Sequence, residues 1–454
     1  MATNIDINTS SDNSNAGAQW LFVLTIIALG TVFRFQAITA TDVIDPIRND
    51  ARDYVSYAFN LETSNTFSRT TASNVRTELP EPPPDALRRP AYPLFLSLIL
   101  NPSDSLDAFM LKAKLSQALL SSISLLLLFF IARQLLGFRY AVLALALTSF
   151  NPHIINMNVY LLSEALFIFI ELLLFLCIAN WRPDSKIKGF IAVGALIAIA
   201  ALTRAWIQYF IILLIAWMLF SKDMSFNKKQ AAIVAFSFLG IFALWTLRNL
   251  LTLGITSDST LVINGLHHGM YPNFMFQGNP DTRGFAYLFD PNSETISHSV
   301  GSILEEILRR FQTDFWRHAY WYTWGKTTTL LSWGTIQGVH DIFIYPVTDS
   351  PFFRYGIWHW MEVVMSKLHA PLMILACAGS LLVWAPSRFH QLEVSKIFVL
   401  RLISLFFVYF LAVHLVTAPF PRYAIPLKPL LFILALIPLK VALHRFRPAS
   451  VTAA

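Results

Sequence analysis

"WLFVLTIIALGTVFRFQAIT", residues 20–39, decides how the rest of the chain is read. Twenty predominantly apolar residues are what a helix needs to cross the hydrocarbon core of a bilayer. The segment before it, residues 1–19, is polar and has no Lys or Arg. A secretory signal opens on a basic stretch, so residues 20–39 are expected to stay in place as a first span behind a disordered cytoplasmic tail.

The remaining 415 residues agree with that reading in composition. The 454-residue chain is 55% hydrophobic and only 13% charged, with a mean hydropathy of +0.54. A soluble domain carries about 25% charged residues, so the composition excludes an ordinary soluble enzyme and predicts a multi-pass membrane protein. The net charge of +7 does not call for nucleic acid, because cytoplasmic loops of membrane proteins collect Lys and Arg. Cys177 and Cys377 both lie in apolar runs and read as small packing residues, not as a disulfide or metal framework.

Further spans are expected at 108–131, 140–156, 161–180, 189–203, 205–221, 230–253, 362–385, 397–418 and 424–443. The semi-apolar stretch 327–346 is a candidate re-entrant, interfacial or eleventh crossing segment. Basic residues concentrate in alternate short loops: Arg133 and Arg139; Arg182, Lys186 and Lys188; Lys222, Lys228 and Lys229; Arg388 and Lys396; Arg445 and Arg447. The positive-inside rule makes those loops cytoplasmic. The expected fold class is thus an all-α multi-pass membrane protein with about 10–11 transmembrane helices and both termini in the cytoplasm. Its parts are a tail (1–19), a membrane module (20–253) containing a first outer loop (40–107), a large outer loop (254–361), and C-terminal spans with a short cytoplasmic tail (362–454). The proline-rich "ELPEPPPDALRRP", 78–90, reads as an extended surface loop. In a bacterium the outer face is the periplasm, where nucleotide sugars are absent, so a synthetic enzyme there needs an activated, lipid-linked substrate.

The first outer loop begins with "NDARDYVSYAFNL", 49–61. As a helix, it puts Asp50, Asp53, Tyr54, Tyr57 and Leu61 on one face. Asn49 or Asp50 is a plausible N-cap, while Tyr54, Ala58 and Leu61 form a stripe suited to the membrane boundary. An ionised Asp50 or Asp53 there can accept a proton from an alcohol or amine; the competing reading is that Asp50 only caps the helix. Arg88 and Arg89 stand before Pro90 and an apolar helix start, where a guanidinium can bind phosphate bidentately or reach to lipid headgroups. Arg204 and Arg248 sit at outer span ends against the positive-inside pattern, and Glu164 lies at the outer end of its own span. Charges at membrane depth are functional candidates. Glu171, seven residues on, supports a rival reading as a proton-coupled transporter or flippase of lipid-linked sugars. The aromatic run 311–326 fits an interfacial belt or sugar contact. His267, His268, His298, His340 and Asp341 show no recognisable metal-ligand spacing.

Together these segments resemble the polyprenyl-phosphate-sugar glycosyltransferases of the GT-C superfamily, which include dolichyl-phosphate-mannose protein mannosyltransferases and bacterial aminoarabinose transferases. The matching elements are Asp50, Tyr54, Ala58, Leu61, Asn65, Phe67 and Ser68; Arg89-Pro90-Ala91-Tyr92-Pro93-Leu94; Leu162-Ser163-Glu164; Leu202-Thr203-Arg204; Trp245-Thr246-Leu247-Arg248-Asn249; and Arg422-Tyr423-Ala424-Ile425-Pro426. The resemblance implies a GT-C-type helical bundle in the bacterial inner membrane. It also implies an inverting transfer of sugar from a polyprenyl (undecaprenyl) phosphate to a hydroxyl or amine on a periplasmic glycolipid, glycan or protein. Asp50 is then the general base with Asp53 as fallback. Arg88, Arg89, Arg204 and Arg248 are expected at the donor phosphate, and Tyr54, Tyr92, Glu164, Arg422 and Tyr423 in orientation. No cofactor is implied; a divalent metal stays open, since related oligosaccharyltransferases use one. A polysaccharide ligase or polymerase of related architecture is the nearer alternative.

Overall fold

A computed structural model describes residues 9–70, 82–336, 340–386 and 394–445. Each of the ten expected spans carries helix. The order is α1 (Thr9–Thr39), α2 (Asn49–Ser64), α3 (Ala91–Ser97), α4 (Leu106–Leu136), α5 (Phe138–Ser149), α6 (Pro152–Asn156), α7 (Glu164–Ala179), α8 (Ile187–Thr203), α9 (Phe210–Phe220) and α10 (Lys228–Leu253). The large outer loop holds α11 (Thr260–Gly269), α12 (Ser293–Ile296), α13 (Val300–Thr313), α14 (Phe315–Tyr320) and α15 (Lys326–Leu330). The chain closes with α16 (Ile357–Leu382), α17 (Val394–Val416) and α18 (Lys428–Arg445). Five helices, Gly17–Thr39, α4, α10, α16 and α17, are long and apolar enough to cross a membrane.

Local chemistry sets the breaks. Ser105 caps α4 by accepting from the Ala108 N–H at 3.2 Å, and Asp107 complements the helix dipole in the first turn. Gly137, at φ 93°, ends α4 and lets α5 start at once. Asn227 and Gln230 form a capping box at the start of α10, which stops at Gly254 in the left-handed region.

One expectation is corrected and another is narrowed to its non-crossing alternatives. Residues 9–19 are helical, continuing α1 toward the N-terminus; residues 1–8 of the expected disordered tail lie outside the described residues. The stretch 327–346 does not form a crossing helix: after α15 the described chain is irregular, as Ser332, Gly334 and Asp341 would dictate. Of the proline-rich loop, 78–81 lie outside the described residues and 82–90 carry no regular element.

The helices pack in two groups. One contains α1, α4, α5, α16 and α18, another α8, α9 and α10, with α7 and α17 between them. Inside the first group, Arg34 is fully buried but satisfied. Its Nε donates to Ser121 at 2.8 Å and its Nη1 to the Gly30 carbonyl at 2.8 Å and that of Ser149 at 3.3 Å. It therefore ties α1 to α4 through the Ser121 hydroxyl and to α5 through the Ser149 carbonyl, instead of exposing a charge to lipid. A two-stranded antiparallel ribbon, β1 (Asp42–Val43) with β2 (Val347–Asp349), pins the two outer loops to each other.

Candidate active site

α2 starts at Asn49, a short segment after β1 ends at Val43. Its N-cap is Arg48, whose side chain makes no capping bond; Asn49 sits at φ 46°. The expected cap role of Asn49 or Asp50 is thus not what the helix uses. Asp50 stands in the first turn with its carboxylate free to meet other groups. The apolar face of α2 is also not laid on lipid. Tyr54 and Ala58 are buried in the protein core, and the Tyr54 ring meets Tyr92 edge-on at 4.8 Å. Tyr92 in turn donates to Gln117 on α4, which fixes α2 and α3 on the bundle.

Asp50 receives two guanidinium groups. Arg88 Nη2 reaches Oδ1 at 2.7 Å, and Arg422 Nη2 reaches Oδ2 at 2.6 Å. Arg88 also donates from Nε to Asp53 at 2.9 Å and lies over the Tyr54 ring. Arg422 donates from Nε to Glu164 Oε1 at 3.0 Å, and Arg204 Nη1 lies 3.2 Å from the same oxygen. The first turn of α2, the Arg88 segment, the N-terminus of α7, the C-cap of α8 and the turn before α18 thereby converge. Three carboxylates face three guanidinium groups. Burial alone would raise the Asp50 pKa, but Arg422 and Arg88 hold it well below the usual carboxylate range.

The cluster is not closed on itself. Glu164 Oε2 and Arg204 Nη1 are buried without an aligned hydrogen-bond partner. Arg89 donates to Gln208 at 2.7 Å and lies over Phe242, and no carboxylate pairs with it among the described residues. Buried polar atoms are ordinarily satisfied, so Arg204 and Arg89 are the two cations with capacity left for an anionic ligand, while Glu164 Oε2 can accept from a hydroxyl or amine.

Other expected residues are placed differently. Arg248 does not join the cluster: it donates to the carbonyls of Asp85 at 2.8 Å and Phe67 at 3.2 Å and stacks on Phe67 and Trp245. It clamps the first outer loop. Tyr423 packs against His414 and Phe420 beside Arg422. Glu171 is buried with both oxygens unpartnered. In the aromatic run, Trp316, Tyr320 and Trp324 are exposed at helical spacing, whereas Trp321 is buried and donates to the Gly269 carbonyl at 2.8 Å.

Two contributors escaped the sequence reading. Asp85 accepts from the Tyr57 hydroxyl, from the Arg69 N–H at 2.9 Å and from the Leu87 N–H at 3.1 Å, fixing the loop that presents Arg88. An acid between a proline run and an arginine pair was the available signal. Tyr345 donates to the Arg48 carbonyl at 3.2 Å; nothing local marked it.

A divalent cation does not suit this donor set. Both Asp50 oxygens are taken by guanidinium groups, and Glu164 Oε1 already faces two. No group of three or more His, Cys, Asp or Glu gathers elsewhere among the described residues. His267 instead pairs with the Tyr271 hydroxyl at 3.3 Å, and His268 packs on Tyr287.

Residues 92–247 match the family model of the dolichyl-phosphate-mannose-protein mannosyltransferases. The structure is similar to that of the archaeal oligosaccharyltransferase AglB from Archaeoglobus fulgidus in complex with an inhibitory peptide and a dolichol-phosphate. The TM-score is 0.50 at 12% identity, over 94% of this chain and 51% of that one. It is also similar to ArnT from Cupriavidus metallidurans bound to undecaprenyl phosphate, with a TM-score of 0.41, 14% identity, and coverage of 94% and 78%. A further likeness is to the S. cerevisiae protein O-mannosyltransferase Pmt1-Pmt2 complex bound to the sugar donor, at 0.38, 14%, 55% and 36%. No curated protein matches the sequence. This chain spans about half the length of AglB. The family-model match over residues 92–247 and the fold shared with AglB accord with the resemblance carried by the motifs, and the chain has a predominantly helical membrane-protein architecture.

Proposed function

We propose that the chain is an inverting glycosyltransferase. On this reading it takes a sugar from a polyprenyl phosphate and transfers it to a hydroxyl or amine on the periplasmic face of a bacterial inner membrane. The observation that carries this reading is the Asp50 carboxylate set among Arg88, Arg422, Glu164 and Arg204, with one unsatisfied donor, Arg204 Nη1, at its edge. The acceptor oxygen or nitrogen attacks the anomeric carbon and its proton passes to Asp50. The bond from that carbon to the phosphate oxygen breaks, and the electron pair leaves with the polyprenyl phosphate. That leaving group needs no proton, but its growing charge needs cations, and Arg88, Arg89, Arg204 and Arg422 are the supply. Arg248 is given no part in this step, because it is committed to loop carbonyls. An apolar groove of about 430 Å³ between α1, α5 and α16, lined by Phe33, Phe150 and Met361 among others, suits a lipid chain.

General-base assistance contributes about 10²–10⁴-fold. Purified protein in vesicles, given polyprenyl-phosphate sugar and envelope extract, is expected to form a new glycosidic bond seen by mass spectrometry. Asp50→Asn should lose at least about 100-fold in rate while still folding. A correctly inserted variant with more than half the wild-type rate would remove Asp50 from the mechanism.

Glu171, buried without a partner, favours one second reading, a transporter of lipid-linked sugar. The same vesicles separate the two: a transporter moves the lipid across the bilayer with no new bond.

A further inference from the structure

The large outer loop has its own small core of Leu266, Met270, Tyr271, Ala286, Ile296 and Ile303. Against this core opens a cavity of about 410 Å³, walled by 271–277, 290–292 and 306–318, a size typical of small-molecule sites. Its wall is mixed, with apolar side chains beside a network of paired charges. The Tyr271 hydroxyl donates to Asp290 at 2.8 Å, Arg310 donates to Asp290 at 3.2 Å and lies over the Tyr271 ring, and Glu306 binds both Arg309 and Arg310 at 2.6–2.7 Å. On the open side, the side chains of Gln277, Asn292 and Arg317 are exposed and bond to no described residue. Gln277 is held at φ 50° next to Gly278 at φ 80°, a strained backbone of the kind concentrated at binding sites.

The lining chemistry selects among ligands. Three carboxylates (Asp290, Glu306, Asp314) balance three guanidinium groups (Arg309, Arg310, Arg317), which disfavours a polyanion. The six charged side chains in the wall disfavour a lipid chain. Planar amides, a fixed charge network and the aromatic side chains of Tyr271 and Phe276 fit the hydroxyls and apolar faces of a neutral saccharide. Packed aromatics join the segment that walls the cavity to the Asp50 cluster. Phe274 stacks on Phe420 at 4.5 Å, and Phe420 meets Tyr423 at 5.5 Å, next to Arg422.

We infer that this cavity is an acceptor subsite, holding a neutral saccharide unit remote from the one that receives the new sugar. The inference rests on the glycosyltransferase reading and specifies its acceptor as an oligosaccharide.

The test uses the full chain in vesicles with polyprenyl-phosphate sugar, and water-soluble oligosaccharides released from the host envelope by mild acid as probe. Wild type and the triple variant Gln277→Ala/Asn292→Ala/Arg317→Ala are compared. The variant should raise the half-saturating oligosaccharide concentration roughly tenfold or more, leaving maximal rate and donor hydrolysis in the absence of acceptor unchanged. Saturation-transfer NMR should show oligosaccharide contact with wild type and lose it with the variant. Unchanged half-saturation and unchanged NMR contact, with transfer intact, overturn the subsite and leave the glycosyltransferase reading standing. NMR contact without any sugar transfer by wild type overturns that reading while the saccharide site stands. An equal fall in donor hydrolysis and transfer also overturns the subsite, since it places the damage at the reacting centre.

Discussion

Arg422 is the cation shared by Asp50 and Glu164, and its replacement isolates what the cluster contributes. Arg422→Gln leaves Asp50 with Arg88 and Glu164 with Arg204, so neither anion is abandoned. Breaking a buried pair by removing one partner costs 3–5 kcal/mol; with second cations retained and Arg422 and Asp50 still 21% and 27% exposed, the lower end, about 3 kcal/mol, applies. Glu164→Gln, at a side chain with no exposure, should cost about the same by leaving Arg204 and Arg422 short of an anion. Because the two share one contact, the double variant should fall short of the sum by about 2 kcal/mol. Thermal unfolding in detergent can be followed with a thiol-reactive dye, since Cys177 and Cys377 are free and only partly accessible. Arg401, paired to Asp223, provides the control: Arg401→Gln combined with Arg422→Gln should be additive. If Arg422→Gln and Glu164→Gln also add within ~0.5 kcal/mol, the cluster is not a coupled unit, and a site built on its charge exchange is wrong.

Arg248→Ala should loosen the first outer loop, seen as faster proteolysis within 60–90, without changing donor affinity; a rise in donor half-saturation tenfold or more would return Arg248 to the phosphate. Gly379→Ala should destabilise by about 1–3 kcal/mol in thermal unfolding, because an added Cβ meets the Leu434 carbonyl where α16 crosses α18. His268, whose pKa burial and then the neighbouring His267 push down to about 4, stays neutral in the folded loop while the unfolded chain takes a proton near 6.5. Its contribution, at most about 3 kcal/mol, is full above pH 6.5 and lost as pH falls toward 4. Outer-loop proteolysis should therefore accelerate between pH 7.5 and 5, and His268→Gln should flatten that dependence.

The spans were legible because hydrophobic length is a one-dimensional property: α4, α10 and α17 fall where apolar runs stand. Residues 9–19 were not, since a polar helix with no apolar stripe looks like a tail. The helix at 49–64 followed from its periodicity, but its cap did not, because Arg48 takes that position with no side-chain bond. Individual site residues were visible as charges at span ends. What charge placement cannot encode is direction. Arg204 and Arg248 carry the same signal, an arginine ending an outward span, yet one reaches Glu164 and the other the carbonyls of Phe67 and Asp85. The meeting of Asp50 with Arg422 joins positions 372 residues apart, which no local pattern records. The outer-loop cavity is equally silent, being assembled from three short segments without a motif.

A carboxylate held by two guanidinium groups is a poor proton acceptor, and this bears on how the proposed reaction would be ordered. Efficient general bases have proton affinities near the working pH, whereas Arg88 and Arg422 depress that of Asp50. Each guanidinium is shared: Arg88 with Asp53, Arg422 with Glu164. A phosphate placed at the open edge by Arg89 and the unsatisfied Arg204 competes for the same cations, and every guanidinium it draws off Asp50 raises the affinity of that carboxylate for a proton. The leaving group grows more negative as the bond to the sugar breaks, so the pull on the cations is greatest when the acceptor proton has to depart. On the proposed mechanism the donor therefore activates the base that attacks it. An acceptor bound alone would keep its proton, and water meeting the resting site would find no competent base.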